Sequence, residues 1–237
     1  MLYKKSSSRI NQYVSLLKEY YHTSSTKALL KAISEDFLIS TFLRSGSGLV
    51  TSIFKGILSK LFIKSGYPVL IGKRTRIVHS SNIVLGNYIW IKDDVSIVAN
   101  GMLKIGNEFV IGERSTLWSH EKGLSIGNKV GIGKGCYIAQ LGGSIKIGDN
   151  VLIADSVRIY SLNHKYEDTN SPILHQGYEE CTIEIEDNVW IGSGVVIFNN
   201  VTIGSGSVIG ANTVVTKFVP PNVVFAGVPG KIIKKLK

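Results

Sequence analysis

His164 and His175 fall in one irregular stretch, from about Leu162 to Thr182, that also carries Glu167 and Asp168. Imidazole exchanges protons near neutral pH, so a histidine in such a loop suits general acid–base chemistry. An exposed loop histidine can equally be a solvated polar side chain, and position alone leaves both readings open. The two carboxylates could orient an imidazole or bind a polar acceptor; solvated loop carboxylates are the commoner outcome. His22 and His79 have no supporting context. Cys136 and Cys181 give no disulfide scaffold, and Cys136 reads as a small core residue.

The elements that must position these groups announce themselves by a period. An isoleucine, leucine or valine returns every six residues at Ile185, Ile191, Ile197, Ile203, Ile209 and Val215. The same beat runs earlier in threes: Leu85, Ile91, Ile97; Ile105, Ile111, Leu117; Ile126, Ile132, Ile138; Ile147, Ile153, Ile159. Six fits neither a helix nor a free strand. It fits a triangular coil whose sides each place one large apolar residue inside. A small residue follows most beats, as at Gly106, Gly112 and Gly133, where backbones crowd. Four past the beat come residues such as Val95, Ser115, Cys136 and Val157, suited to a second inward position. About six to seven such coils would stand on the order of 30 Å tall.

Where the beat slips is informative. Extra residues appear near Ala99 to Gly101, Ser119 to Lys122 and Gln140 to Gly142, each after the third beat of a turn, so they should stack on one edge. The largest slip on that edge is the 162–182 loop, and a long loop in a regular solenoid is usually functional. His120 falls on the same edge two coils earlier; it could line an acceptor site or be a polar corner residue.

The expected organisation is a helical N-terminal extension over 1–66, a parallel β-solenoid over 67–219 and a basic tail over 220–237 that ends in a short helix from Lys231. Within the extension, polar breaks fall at Ser6 to Ser8, Thr23 to Thr26 and Ser45 to Gly48. Residues 49–64 form an amphipathic, basic segment that could lie on an anionic membrane or pack on the coil as a cap. The net charge is +10. An anionic cofactor, lipid or glycan would answer to it; a nucleic acid would too, but no recognition motif for one is present. No signal peptide and no membrane-spanning run is visible, so the expected location is cytoplasmic, with peripheral contact at the inner face of the membrane as an option.

One set of motifs is specific. Asn188-Val-Trp-Ile-Gly-Ser193, Val201-Thr-Ile-Gly204, Val208-Ile-Gly-Ala211, Val214-Val-Thr-Lys217, Pro220-Pro221 and Ala226-Gly-Val-Pro-Gly230 resemble the hexapeptide-repeat acyltransferases. The nearest groups are the galactoside and maltose O-acetyltransferases and those of capsule and lipopolysaccharide synthesis. The resemblance covers about Tyr67 to Lys237 and leaves out the acceptor-binding N-terminus of the maltose enzymes. It implies a mainly β fold, a left-handed parallel β-helix, although parallel crossovers are generally right-handed. It also implies a homotrimer holding acetyl-CoA between subunits. Asn163-His164-Lys165-Tyr166 matches the family's catalytic loop, which makes His164 the general base. Asn163, Tyr166, Asp168, His120, His175 and Gln176 become acceptor-binding or loop candidates. Trp190, Ser193, Ala211, Thr216 and Lys217 are implied for the cofactor, with a backbone amide at Ser193 holding the oxyanion. Lys231 and Lys234 stand where relatives carry arginines, which keeps the charge but not the bidentate geometry. No metal is expected, because His79, His120 and His164 do not reproduce the spacing of zinc enzymes on this fold.

The reading is therefore an acetyl-CoA-dependent O-acetyltransferase acting on a sugar hydroxyl in surface polysaccharide synthesis. The alternatives are N-acetylation of an amino sugar nucleotide and a non-catalytic β-helix scaffold.

Overall fold

The structure, a computed structural model, describes residues 25–27, 30, 49–198 and 200–237. The polar breaks expected at Ser6 to Ser8 and Ser45 to Gly48, and His22, lie outside the described residues. Helix α1 (Leu49–Ser59) is followed at once by the first strand, Lys64–Ser65. From there the chain winds as a triangular prism. Face 1 has seven strands, from Lys64–Ser65 to Val201–Ile203. Face 2 has nine, from Val69–Ile71 to the closing pair Val223–Gly227 and Gly230–Lys235; face 3 has seven, from Arg76–Val78 to Val214–Val215. That makes seven full coils and part of an eighth.

The six-residue beat sets the register. On face 1, Leu85, Ile105, Ile126, Ile147, Ile185 and Ile203 pair in one line through successive parallel strands. Every beat residue from Leu85 to Val215 is at most 4% exposed, and the inward residues four further on, including Val95, Ser115, Val157 and Thr213, are buried as well. The crowding that demands glycine is visible at Gly112: a Cβ there would lie 2.5 Å from the carbonyl carbon of Gly133 in the next coil. Three residues after most beats the chain turns a corner in the left-handed region, at Tyr88, Glu108, Arg114, Lys129, Asn150 and Asn188 among others. A ladder of amide and carboxylate side chains ties the face 1–face 2 corners together. The backbone N–H of Asn87 donates to Asn107 Oδ1 (2.8 Å), that of Asn107 to Asn128 Oδ1 (2.9 Å), and that of Asn128 to Asp149 Oδ1 (2.7 Å). The N–H of Asp149 continues the ladder to Asp187 Oδ1 (2.7 Å). The Asn128 N–H and side-chain amide hold the Asp149 carboxyl below its ordinary range.

The outer surfaces of the faces differ. Face 1 presents Lys104, Ser125, Lys146 and Glu184, with Lys146 bonded to Glu184 at 2.7 Å. Face 2 presents Leu70, Trp90, Val110, Leu152, Trp190 and Val208, while face 3 mixes Val98, Trp118, Tyr137 and Tyr160 with Arg76, Ser96, Thr116 and Arg158.

At the two ends the outcomes diverge. Helix α1 lies against the strand Val69–Ile71 and covers the first coil, with Ile63 in the core behind it. The C-terminal helix expected from Lys231 is absent. Gly230–Lys235 is instead a strand, antiparallel to Val223–Gly227, with Val224 opposite Lys234 and Ala226 opposite Lys231. β-branched Ile232 and Ile233 favour extended backbone, and Gly227 at φ 109° makes the turn. Face 2 gains a partner along its last edge, an alternative to leaving unpaired backbone groups in solvent.

Candidate active site

The 162–182 loop is an arm built on its own two-stranded ladder. Leu162–His164 pairs antiparallel with Tyr178–Glu180, placing His164 opposite Tyr178. Its base closes where the Cys181 N–H donates to the Ser161 carbonyl (2.9 Å). Ser161 is buried, and its hydroxyl accepts the Leu141 N–H of the coil before (3.0 Å). The arm's far end is stapled by Gln176. Its Nε2 donates to the carbonyls of Asp168 and Ser171 (both 2.8 Å), and its Oε1 accepts the Asp168 N–H (3.0 Å). The Asp168 carboxylate accepts from the Ser171 hydroxyl (2.6 Å) and the Asn170 N–H (2.9 Å). These two donors, the hydroxyl first, hold its carboxyl below the usual range. Asp168 and Gln176 are thus spent on the shape of the loop, and His175 sits in the short turn Ile173–His175 beside them.

Between arm and prism lies a cavity of about 800 Å³. Asn163, His164, Tyr166, Asp168, His175 and Gln176 line it, and from the prism so do Asn200 and Thr216. His164 is exposed, and its ring packs on Tyr178 with centroids 4.6 Å apart. Among the described residues no carboxylate hydrogen-bonds its imidazole. A ring held this way can take a proton from a hydroxyl placed in the cavity.

The other sequence candidates lie elsewhere. His120 stands on the same edge, half-buried, its backbone N–H donating to Gln140 Oε1, but it does not line the cavity. Trp190 is on the outer surface of face 2. Ser193 and Ala211 occupy successive turns of the face 2–face 3 corner, where the Asn212 N–H donates to the Ser193 carbonyl (2.8 Å). Within one chain, the strands of face 3 separate that corner from Thr216 and the cavity. Lys217 follows Thr216 and is exposed; Lys231 and Lys234 are on the closing strand. Glu179 and Asn200 line the cavity and Tyr178 packs on His164, and none of the three was among the sequence candidates. Asn200 had a usable signal, because it follows Ile197, the third beat of its turn, and so belongs to the loop edge. Among the described residues no cluster of His, Cys, Asp or Glu could hold a metal ion.

Comparison with known proteins agrees with this architecture. Residues 182–217 match the bacterial transferase hexapeptide model, described as six repeats. The Escherichia coli protein WbbJ, named for O-acetyl transfer in lipopolysaccharide biosynthesis, is 32% identical over 144 residues, covering 57% of this chain and 73% of WbbJ. This chain belongs to the hexapeptide-repeat transferase family. Like the family's structures, its prism is a left-handed parallel β-helix. Galactoside O-acetyltransferase of E. coli is 39% identical over 98 residues, 39% of this chain and 45% of that protein. A galactoside acetyltransferase solved in complex with coenzyme A superposes with a TM-score of 0.51 at 28% identity, covering 90% of this chain and 84% of that one. The family member described here spans under half the length of several curated relatives it matches.

Proposed function

We propose that the protein is an acetyl-CoA-dependent O-acetyltransferase that acetylates a sugar hydroxyl during assembly of a surface polysaccharide, capsule or lipopolysaccharide. The observation that carries this is the placement of His164 on the wall of the arm's cavity, in a chain whose relatives include WbbJ and a CoA-bound galactoside acetyltransferase. His164 takes the proton from the acceptor hydroxyl as the oxygen attacks the thioester carbonyl. The tetrahedral oxyanion is held by the backbone N–H at Ser193. Collapse breaks the C–S bond, and the imidazolium returns its proton to the departing CoA thiolate. Lys217, Lys231 and Lys234 supply cations for the phosphates of CoA.

His164 and Ser193 stand on different edges of one prism, so this chemistry requires a second copy. The working unit is a homotrimer in which an edge carrying Ser193, Ala211 and Trp190 faces the arm of a neighbour. The apolar outer side chains of face 2 beside the charged face 1 support that arrangement, since unlike surfaces meeting head to tail form a ring when the rotation closes. Leu152 and Trp190, each more than half exposed in the single chain, would be covered. The enzyme works in the cytoplasm. Among the described residues no helix is long and apolar enough to cross a membrane.

The test is thiol release from acetyl-CoA with a panel of neutral sugars, lipid-linked glycans and amino sugar nucleotides. Release that depends on a hydroxyl acceptor and on His164 supports the reading. Release only with the amino sugars would replace it with N-acetylation, and no release with any acceptor would leave the β-helix a scaffold.

A further inference from the structure

Helix α1 covers the first coil but leaves an apolar flank outside. It buries Lys55, only 2% exposed, and seats Gly56 on the Val69 carbonyl so closely that a Cβ would lie 1.7 Å away. Its other flank and the turn after it show Phe54, Ile57 and Leu61 to solvent at 56%, 48% and 73% exposure. The spacing of three and four places them on one side of the helical path. Tyr67 and Tyr88, also exposed, continue the apolar surface across the first two coils, and Lys60 lies over the Tyr67 ring at 5.1 Å. The charge here is one-sided. Between Asp36 and Asp93 the sequence has no acidic residue, while Arg44, Lys55, Lys60, Lys64, Lys73, Arg74, Arg76 and Lys92 are basic. Lys73 and Arg74 are paired with Asp93 and Asp94, but Lys60 and Lys64 are exposed beside the apolar flank.

We propose that this end of the prism docks on an anionic lipid bilayer, with Phe54, Ile57 and Leu61 entering the interface and Lys60 and Lys64 meeting lipid phosphates. Exposed aliphatic residues flanked by tyrosines and lysines are the composition of a surface that sits at the headgroup level. A protein partner would have to bring the missing negative charge; an anionic leaflet has it already. The inference is independent of the proposed enzymology, because partition onto vesicles is read without any acetyl transfer.

The experiment is co-sedimentation of the full chain with vesicles of phosphatidylcholine alone or mixed equally with phosphatidylglycerol. Binding is expected to the mixed vesicles, to weaken as salt rises, and to be slight on phosphatidylcholine. The triple variant F54S/I57S/L61S and the double variant K60E/K64E should each weaken it by on the order of tenfold or more. Both should keep the wild-type melting temperature and thiol-release rate in the absence of lipid. Equal binding to neutral and anionic vesicles, no binding at all, or unaltered binding by a folded variant of either kind would overturn the proposal. So would lipid-free self-association that the triple variant abolishes.

Discussion

Replacing His164 with alanine tests the proposed chemistry most directly, because the structure separates its effect on the reaction from its effect on folding. The side chain is exposed and packs on Tyr178 alone among the described rings, so truncation removes one ring contact worth about 0.5–1.5 kcal/mol at most and opens no core cavity. The strand pairing of Leu162–His164 with Tyr178–Glu180 is made by backbone and survives the change. Stability should therefore move little. Loss of a general base, by contrast, costs roughly 10²–10⁴-fold in rate, or about 3–5 kcal/mol of transition-state stabilisation. The assay is thiol release under saturating acetyl-CoA with an acceptor that the wild type uses, alongside a thermal melt of both proteins. A fall in kcat of about a hundredfold or more, with KM for acetyl-CoA nearly unchanged, is the expected result. If H164A retains activity within a fewfold of wild type while remaining folded, His164 is not the base and the cavity must be read differently.

Three further outcomes follow from the geometry. Q176A removes three hydrogen bonds that hold Asp168 and Ser171. It should lower kcat/KM by about tenfold while shifting the melting temperature little, and limited proteolysis should then cut within 165–177. G112V puts a Cβ 2.5 Å from the carbonyl carbon of Gly133 and should cost about 3 kcal/mol or more, seen as a lowered denaturation midpoint or insoluble protein. Asp149, Asp168 and Glu186 all have carboxyl pKa values depressed by hydrogen bonds, the last by the Ser205 N–H and hydroxyl. Their folded pKa values lie below their unfolded ones, so the stabilisation is fully present above about pH 5 and is lost as pH falls through the unfolded and then the folded values. Thermal melts should show a plateau above pH 5 and a steep decline below about pH 4; a flat profile down to pH 3 would contradict it.

The period of six made the interior of this protein readable, because a residue's place inside or outside the coil depends only on its phase. Ile91, Ile153 and Val215 could be placed in the core without any knowledge of their neighbours. The corners were harder. Tyr88, Glu108, Arg114 and Lys129 adopt positive φ although nothing in their side chains asks for it; the coil imposes that conformation through the strands on either side. The Asn87–Asn107–Asn128–Asp149 ladder did leave a trace, an amide or acid two residues past the beat, but its meaning depends on the next coil's backbone being within reach. The C-terminal segment misled for a related reason. Lysines spaced along Lys231 to Lys237 read as a basic helix, while the deciding factor was an unpaired sheet edge that only the assembled prism presents.

The same distinction explains what could be said of the site. The arm with His164 is a local interruption of a regular pattern, so counting found it. The contribution proposed for Ser193, Ala211 and Trp190 is not local, since they lie across face 3 from the cavity within the chain. Phase places each residue on an edge or a face but carries no information about which edge of another copy it meets. A column is a different kind of signal: on face 2 Leu70, Trp90, Val110, Leu152 and Trp190, interrupted at Gly131, come into one line only once the strands are stacked. Phase within a coil therefore marks the residues that fold the chain, and the column across coils marks the apolar side chains that the fold leaves on its outer surface.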